Sequence, residues 1–220
     1  MKPLKYTGPW SYSKLRDFET CRAQFNRRHM LKLPEPPSAA LEWGSEVHEG
    51  IEAWMQGWLR TMPDYMKKLE SHFIKLKDMA PTLESMWGHD KKWAPLANGF
   101  DKSAWVRAKT DAFLLHEGIA YVLDWKTGKK NDVNQDQLKF YGVLALIRHP
   151  GARSAKLELW YVEHGTILDG EVKREDLAKL KKEFERRSKR LYAESRWEEE
   201  PGLHCKWCPF RKSAGGPCKY

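Results

Sequence analysis

Residues 103–115 and 119–126 form two strand-length segments on either side of Glu117-Gly118, and this juxtaposition constrains the fold more than any other part of the chain. With Glu117-Gly118 as a two-residue turn, the segments close into a hairpin whose mirror pairing sets Asp111 directly opposite Asp124. Cβ atoms in such a pair lie about 4.5–5.5 Å apart. Two carboxylates that close repel each other unless a cation bridges them. A three-residue turn with Gly118 as a bulge shifts the register by one residue, and the sequence leaves both turns open.

The second segment ends in Asp124-Trp125-Lys126-Thr127-Gly128-Lys129. Residues two apart on a strand project from one sheet face, so Asp124 and Lys126 point the same way. A carboxylate there can hold a divalent metal, while the ammonium orients water and offsets charge on a phosphate under attack. In isolation such a pair more often marks a solvated strand face, but its surroundings favour chemistry. Gln137 and Tyr141, four apart on the next expected helix, share a face that can point back toward the strand ends. Upstream, Gly44 and His48 are also four apart, so a residue without a side chain lies beside an imidazole and allows close approach of a sheet or of DNA. The other seven histidines are read as surface or hydrogen-bonded residues. Together these residues read as a metal-dependent nuclease site.

At 220 residues the chain suits one domain, 1–220, burying roughly 70% of its unfolded surface. The 39 basic against 30 acidic residues leave a net charge of +9, which favours a polyanionic partner. The first residues lack the apolar region of a secretion signal, and no apolar run approaches the roughly 18 residues of a membrane span. The expectation is a cytoplasmic protein with no membrane partner.

Ser13 is expected to cap a first helix carrying Leu15, Phe18, Cys21 and Phe25 on one stripe. The Leu33-Pro34-Glu35-Pro36-Pro37 segment ends it. Ser38 is expected to cap a second helix to about Leu59, with Leu41, Val47, Ile51 and Trp54 inward. Residues 63–78 read as helix again. The span 79–100, with Pro81, Gly88, Pro95 and Gly99, reads as an aperiodic insertion or lid. Beyond the hairpin, Asn134 to Gln137 has capping-box spacing and opens a buried helix to about Ile147. Strands near 155–162 and 166–172 flank His164-Gly165, and a basic amphipathic helix runs from about Arg174 to Ala193, with Leu177, Leu180, Phe184 and Leu191 inward. The organisation is a helical segment with an insertion over about 38–100, a core over about 101–172, and a helix with a cysteine cluster over 173–220.

The order Gly44-x-x-x-His48, Asp111, Asp124-x-Lys126-Thr127-Gly128-Lys129 and Gln137-x-x-x-Tyr141 resembles the RecB-like branch of the PD-(D/E)XK nucleases, from about Trp10 to Cys218. The resemblance implies an α/β fold, a restriction-endonuclease-like α/β/α core around a mixed sheet with an N-terminal helical segment. It implies His48, Asp111, Asp124 and the backbone carbonyl of Trp125 as ligands of Mg²⁺ or Mn²⁺. Lys126 becomes the catalytic lysine, and Gln137 and Tyr141 steady the site or the nucleic-acid strand. With an imidazole ligand, Mn²⁺ is expected to serve at least as well as Mg²⁺. The family's usual Gly before the second-motif Asp is replaced by Ala108-Lys109-Thr110, so Asp111 rests on position and hairpin geometry.

Four cysteines are too few for a secreted disulfide framework, and Cys205, Cys208 and Cys218 crowd the C-terminal end. Structural zinc is the generic reading of such a pair, and unpaired core thiols are the plain one. Cys-x-x-Cys-Pro-Phe with a distant N-terminal Cys21 resembles the iron–sulfur subfamily that includes AddB and the CRISPR-associated RecB-type nucleases. That resemblance implies a [4Fe–4S] cluster on Cys21, Cys205, Cys208 and Cys218, a C-terminal staple closing on Cys21, with structural Zn²⁺ as the alternative. The gap from Cys208 to Cys218 is longer than the subfamily pattern, and Ala214-Gly215-Gly216-Pro217 within it can fold out as a loop.

Trp43, Trp54, Trp58, Trp87, Trp93 and Trp105 are candidates to stack on unpaired bases, against the commoner role of core residues. Lys181, Lys182, Arg186, Arg187, Lys189 and Arg190 are candidates to follow a phosphate backbone, against a solvated helix face. The function expected is a metal-dependent exonuclease acting on DNA ends or single-stranded DNA. The alternatives are an inactive DNA-binding module, or an endonuclease or processing subunit beside recombination or CRISPR-adaptation proteins. A phage-encoded protein in a bacterial host is among the settings that fit.

Overall fold

Glu117 and Gly118 both adopt positive φ, 47° and 70°, the pair of signs that a two-residue hairpin turn of the primed type requires. The register follows: His116 pairs with Ile119 and Ala112 with Leu123. The two-residue turn is therefore the one formed. In this computed structural model, residues 4–128 and 134–220 are described. They fall into two compact units, residues 38–181 and residues 1–37 with 182–220.

In the unit of residues 38–181, the hairpin forms the centre of a five-stranded sheet. Its strands are β1 (Thr82–His89), β2 (Val106–His116), β3 (Ile119–Lys126), β4 (Ser154–Tyr161) and β5 (Thr166–Lys173), in the spatial order of their numbers. β1–β2, β2–β3 and β4–β5 are antiparallel, whereas β3–β4 is parallel. A parallel pair needs a long crossover, and helix α5 (Asn134–Arg148) provides it.

One sheet face carries the main core. Leu123 and Trp125 of β3, two apart, join Ala112 and Trp160 against Val47, Ile51 and Trp54 of helix α3 (Ala39–Met55) and Phe73 and Leu76 of helix α4 (Glu70–Asp78). The Phe73 ring lies 4.9 Å from that of Trp160 and 5.4 Å from that of Trp125. On the opposite face α5 comes very close to the sheet at Gly142, where a Cβ would lie 2.5 Å from Val172 Cγ2. Any side chain there would push the helix away. This is an α/β fold with a mixed sheet and helices.

Several sequence expectations change. The span 79–100 is not wholly an insertion, because Thr82–His89 is strand β1 paired to β2. Leu41 faces outward and is 72% exposed, while Val47, Ile51 and Trp54 are buried as expected. Ser38 precedes α3 but makes no side-chain cap. The closing helix, α6, spans Leu177–Ala193 behind a short 3₁₀ turn, with Phe184 and Leu191 buried and Leu177 and Leu180 half-buried. The Asn134 side chain of the expected capping box, and Lys129, lie outside the described residues.

In the unit of residues 1–37 and 182–220, helix α1 (Tyr12–Thr20) is capped by Ser11 rather than Ser13, the Ser11 hydroxyl accepting from Lys14 N–H. Cys21 is extended and breaks the stripe before the short helix α2 (Arg22–Phe25), which runs into a π-helical turn, Asn26–Met30. The two chain segments interlock. Trp10 stacks on Phe184, and Tyr192 donates to the Gly8 carbonyl at 2.8 Å. Phe25 stacks on Trp197 with centroids 5.5 Å apart, and Arg187 holds Glu19 through two bonds of 2.9 and 2.6 Å. Among the described residues, no helix is long and apolar enough to cross a membrane.

Candidate metal centre and cysteine cluster

The backbone pairing of β2 with β3 ends at Ala112–Leu123. One step further, the Trp125 N–H donates to the Asp111 carboxylate at 2.6 Å. A side chain has taken the place of a ladder carbonyl, and this fixes one Asp111 oxygen. The other lies 3.2 Å from His48 Nδ1, carried on α3.

Asp124 is held from α5. Its Oδ1 receives Gln137 Nε2 at 3.4 Å and the Tyr141 hydroxyl at 3.3 Å, and Gln137 also donates to the Tyr141 hydroxyl at 3.2 Å. The Tyr141 proton is shared with the Lys109 carbonyl, 3.0 Å away. Asp124 Oδ2 forms an ion pair with Lys126, its neighbour on the same strand face. The i, i+4 and i, i+2 readings thus place Gln137, Tyr141 and Lys126 around one carboxylate.

An open cleft of about 520 Å³ is lined by His48, Asp111, Asp124 and Tyr141, together with Glu84 and Lys109. Burial pushes the Asp111 carboxyl above its ordinary range, and the Asp124 charge adds to this, against the pull of His48 and the Trp125 N–H. Burial alone would lower the His48 pKa, but its hydrogen bond to Asp111 and the charges of Asp111, Asp124 and Glu84 raise it. Tyr141 is pushed well above its usual value by burial and by the two aspartates, so its hydroxyl keeps its proton. A buried carboxylate beside a second one is an arrangement that a bridging cation relieves.

The donor atoms of His48, Glu84 and Asp111 lie within 4.8 Å of one another, a nitrogen and two oxygens that suit a divalent cation. Sequence reasoning missed Glu84 because its strand was read as an insertion. The available signal was the need for a partner along the outer edge of the 103–115 segment. The glycine at 44 is not demanded by packing, since a Cβ there would meet only Thr127 Oγ1 at an ordinary 3.6 Å.

Of the tryptophans offered for base stacking, Trp54, Trp87 and Trp93 are buried and Trp105 is half-buried. Trp43 and Trp58 remain exposed. Among the basic residues of α6, Arg187 is taken up by Glu19, whereas Lys182, Arg186, Lys189 and Arg190 are exposed.

In the other unit, Cys21, Cys205, Cys208 and Cys218 line one small cavity, all as free thiols. Burial and the other three sulfurs raise the Cys208 pKa. The other lining residues include Arg27, Glu199, Glu200, His204 and Arg211, and four thiols at one cavity are a ligand set that a thiophilic metal or cluster uses.

A model of the PD-(D/E)XK nuclease superfamily matches residues 9–213. Among curated proteins, nothing matches significantly. Solved structures do match. The crystal structure of SSO0001 superposes with a TM-score of 0.50 at 15% identity, covering 99% of this chain and 89% of that one. A Eubacterium rectale protein named "Putative exonuclease" superposes with a TM-score of 0.50 at 14% identity, over 83% of this chain and 79% of its own. At these identities the likeness is one of fold.

Proposed function

Because this chain belongs to the PD-(D/E)XK nuclease superfamily, we propose that it is a metal-dependent DNA exonuclease, with all 220 residues serving one nuclease domain. The observation that carries the reading is the convergence of His48, Asp111, Asp124 and Lys126 at one sheet end, within a family match spanning most of the chain. Nucleases of this superfamily use divalent metals, and the donor set here fits Mg²⁺ or Mn²⁺. His48, Asp111, Asp124 and the Trp125 carbonyl would hold it. When bound, the cation supplies Lewis-acid stabilisation of the charge that develops on the scissile phosphate.

The chain's own groups do the rest. His48 and the Trp125 N–H fix Asp111, while Gln137 and Tyr141 fix Asp124, so both carboxylates are preorganised. Lys126 places an ammonium beside them, able to orient the attacking water and to donate charge-assisted hydrogen bonds to a phosphoryl oxygen. A polyanionic substrate is supported by the net charge of +9, and action at DNA ends by the name of the Eubacterium rectale neighbour. For the four cysteines we read a [4Fe–4S] cluster, with Zn²⁺ as the alternative, supported by their common cavity. Metal analysis and visible absorbance of anaerobically purified protein separate the two, and a metal-free protein removes both.

The test of function is digestion of end-labelled linear and closed circular single-stranded DNA with and without Mn²⁺. Cleavage of the linear form alone is the expected result. Cleavage of both makes the protein an endonuclease or processing subunit, such as one working with recombination or CRISPR-adaptation proteins. Cleavage of neither makes it a DNA-binding module.

A further inference from the structure

We propose that Glu84 is a further ligand for the divalent cation of this site, and that Lys109 competes with the cation for its carboxylate. The inference rests on the metal-dependent reading above and adds a residue from a strand that reading does not use.

The pairs Leu83–Ala112 and Ser85–Thr110 bracket Glu84 and Asp111, so these two residues face each other across β1 and β2. At Glu84 the backbone turns left-handed, with φ of 52°, a conformation that non-glycine residues seldom adopt within a strand. The ladder is interrupted there. The Glu84 side chain is only 18% exposed, and its carboxylate reaches the donor atoms of His48 and Asp111. Facing carboxylates on neighbouring strands repel unless a positive charge lies between them.

Asp111 already shares its surroundings with Asp124 and is occupied by His48 and the Trp125 N–H. The positive charge that meets Glu84 is Lys109, whose side chain is 54% exposed. An exposed, flexible ammonium can return to solvent at little cost to itself, so it is a replaceable partner for Glu84. A divalent cation among the imidazole and two carboxylates carries twice its charge and touches all three. The outer strand therefore contributes a ligand of its own, and cation affinity is set partly by how readily Lys109 gives way.

The experiment is titration of the full chain with Mn²⁺, followed by electron paramagnetic resonance of the free ion. The samples are the parent, Glu84→Gln, Glu84→Gly, Asp111→Asn and Lys109→Met, with the fold of each checked by circular dichroism. Loss of the Glu84 carboxylate should weaken Mn²⁺ binding by at least the roughly 10–100-fold that loss of a group merely supporting a ligand costs. The glycine variant suits the left-handed backbone, so it removes the carboxylate without straining the strand if the glutamine variant folds poorly. Lys109→Met should tighten binding several-fold. Parent-like affinity in the folded Glu84 variants, with weakened binding in Asp111→Asn, overturns this inference and leaves the nuclease reading intact. Unchanged affinity in Lys109→Met overturns the competition. Parent-like binding in Asp111→Asn instead defeats the metal-site reading itself.

Discussion

Asp17 and Asp111 are both buried, and each meets an imidazole, His29 Nε2 at 2.8 Å and His48 Nδ1 at 3.2 Å. Their surroundings drive them in opposite directions. Burial would raise Asp17, but His29 and Arg28, the latter at 2.9 Å, hold its carboxyl below the usual range. Arg28 in turn grips Glu35 through bonds of 2.6 and 2.7 Å, so one guanidinium bridges two carboxylates. Asp111 is given a second carboxylate in place of an arginine, and burial with Asp124 pushes it up. An aspartate held by a guanidinium is suited to securing a fold, whereas one set beside a second carboxylate has a charge that a cation can bridge. Residue type and the imidazole contact do not separate the two cases; whether the next charged group beside the aspartate is an arginine or a second carboxylate does.

The comparison breaks most visibly in activity. Asp111→Asn is expected to lower the cleavage rate by a factor of about 10²–10³ or more, as for loss of one preorganised group at the reacting centre. Asp17→Asn should leave the rate per folded molecule unchanged. Steady-state cleavage of labelled DNA at saturating Mn²⁺ checks both, and equal losses in two well-folded variants would erase the distinction.

Stability should show the reverse order. Asp17→Asn removes the charge shared by Arg28 and His29 while Arg28 keeps Glu35, and should cost about 1.5–3 kcal/mol in urea unfolding. In chelator, Asp111→Asn should stabilise the protein at neutral pH, because it removes a carboxylate that burial keeps from ionising comfortably. The pH dependences differ in sign. Asp17 stabilises above the ordinary carboxyl value of 3.8, and that stability is lost as pH falls through its depressed folded value. Asp111 favours the fold below 3.8, and that contribution is lost as pH rises through its raised folded value. Urea midpoints of each variant across pH 3 to 7 test these signs.

A narrower effect, confined to the acid range, comes from an imidazole whose ring nitrogens have no hydrogen-bond partner among the described residues. His89, fully buried at the end of β1, is depressed to about 4 from 6.5 by burial and by the nearby Arg148 charge. A depressed histidine stabilises above 6.5, and that contribution is lost as pH falls toward 4, amounting to about 3 kcal/mol at most. His89→Phe should flatten the urea-midpoint slope in that window. An unchanged slope would place the titration elsewhere.

Much of the central sheet was legible because its information is local. Glu117-Gly118 fixes a turn, the turn fixes a register, and the register brings Asp111 and Asp124 to the same end of the hairpin. The helix contacts of Gln137 and Tyr141 follow from spacing along one helix. β1 was not legible for the opposite reason. It is an edge strand with one partner, bounded by Pro81, and Glu84 interrupts its alternation, so its existence depends on pairing with distant β2. Glu84 was hidden with it. Leu41 misled because helical periodicity identifies a stripe without saying where the sheet beneath it ends, and this residue lies beside the open cleft. Cys21 was placed on a helix stripe, yet its extended backbone interrupts that helix at the cysteine cavity.

The unit built from residues 1–37 and 182–220 has a consequence for synthesis. A ribosome delivers its first segment long before the second, with residues 38–181 emerging in between and able to complete their own core. Until the last segment is made, Leu15, Phe18 and Phe25 lack the partners that cover them in the finished protein, among them Trp197. Such a nascent chain carries an apolar handle in this earlier segment for the whole time its sheet is folding, the kind of surface that chaperones bind and aggregates grow from. Premature termination between the end of the sheet and Trp197 would therefore release a molecule whose cleft residues are present but whose first helix lacks this cover.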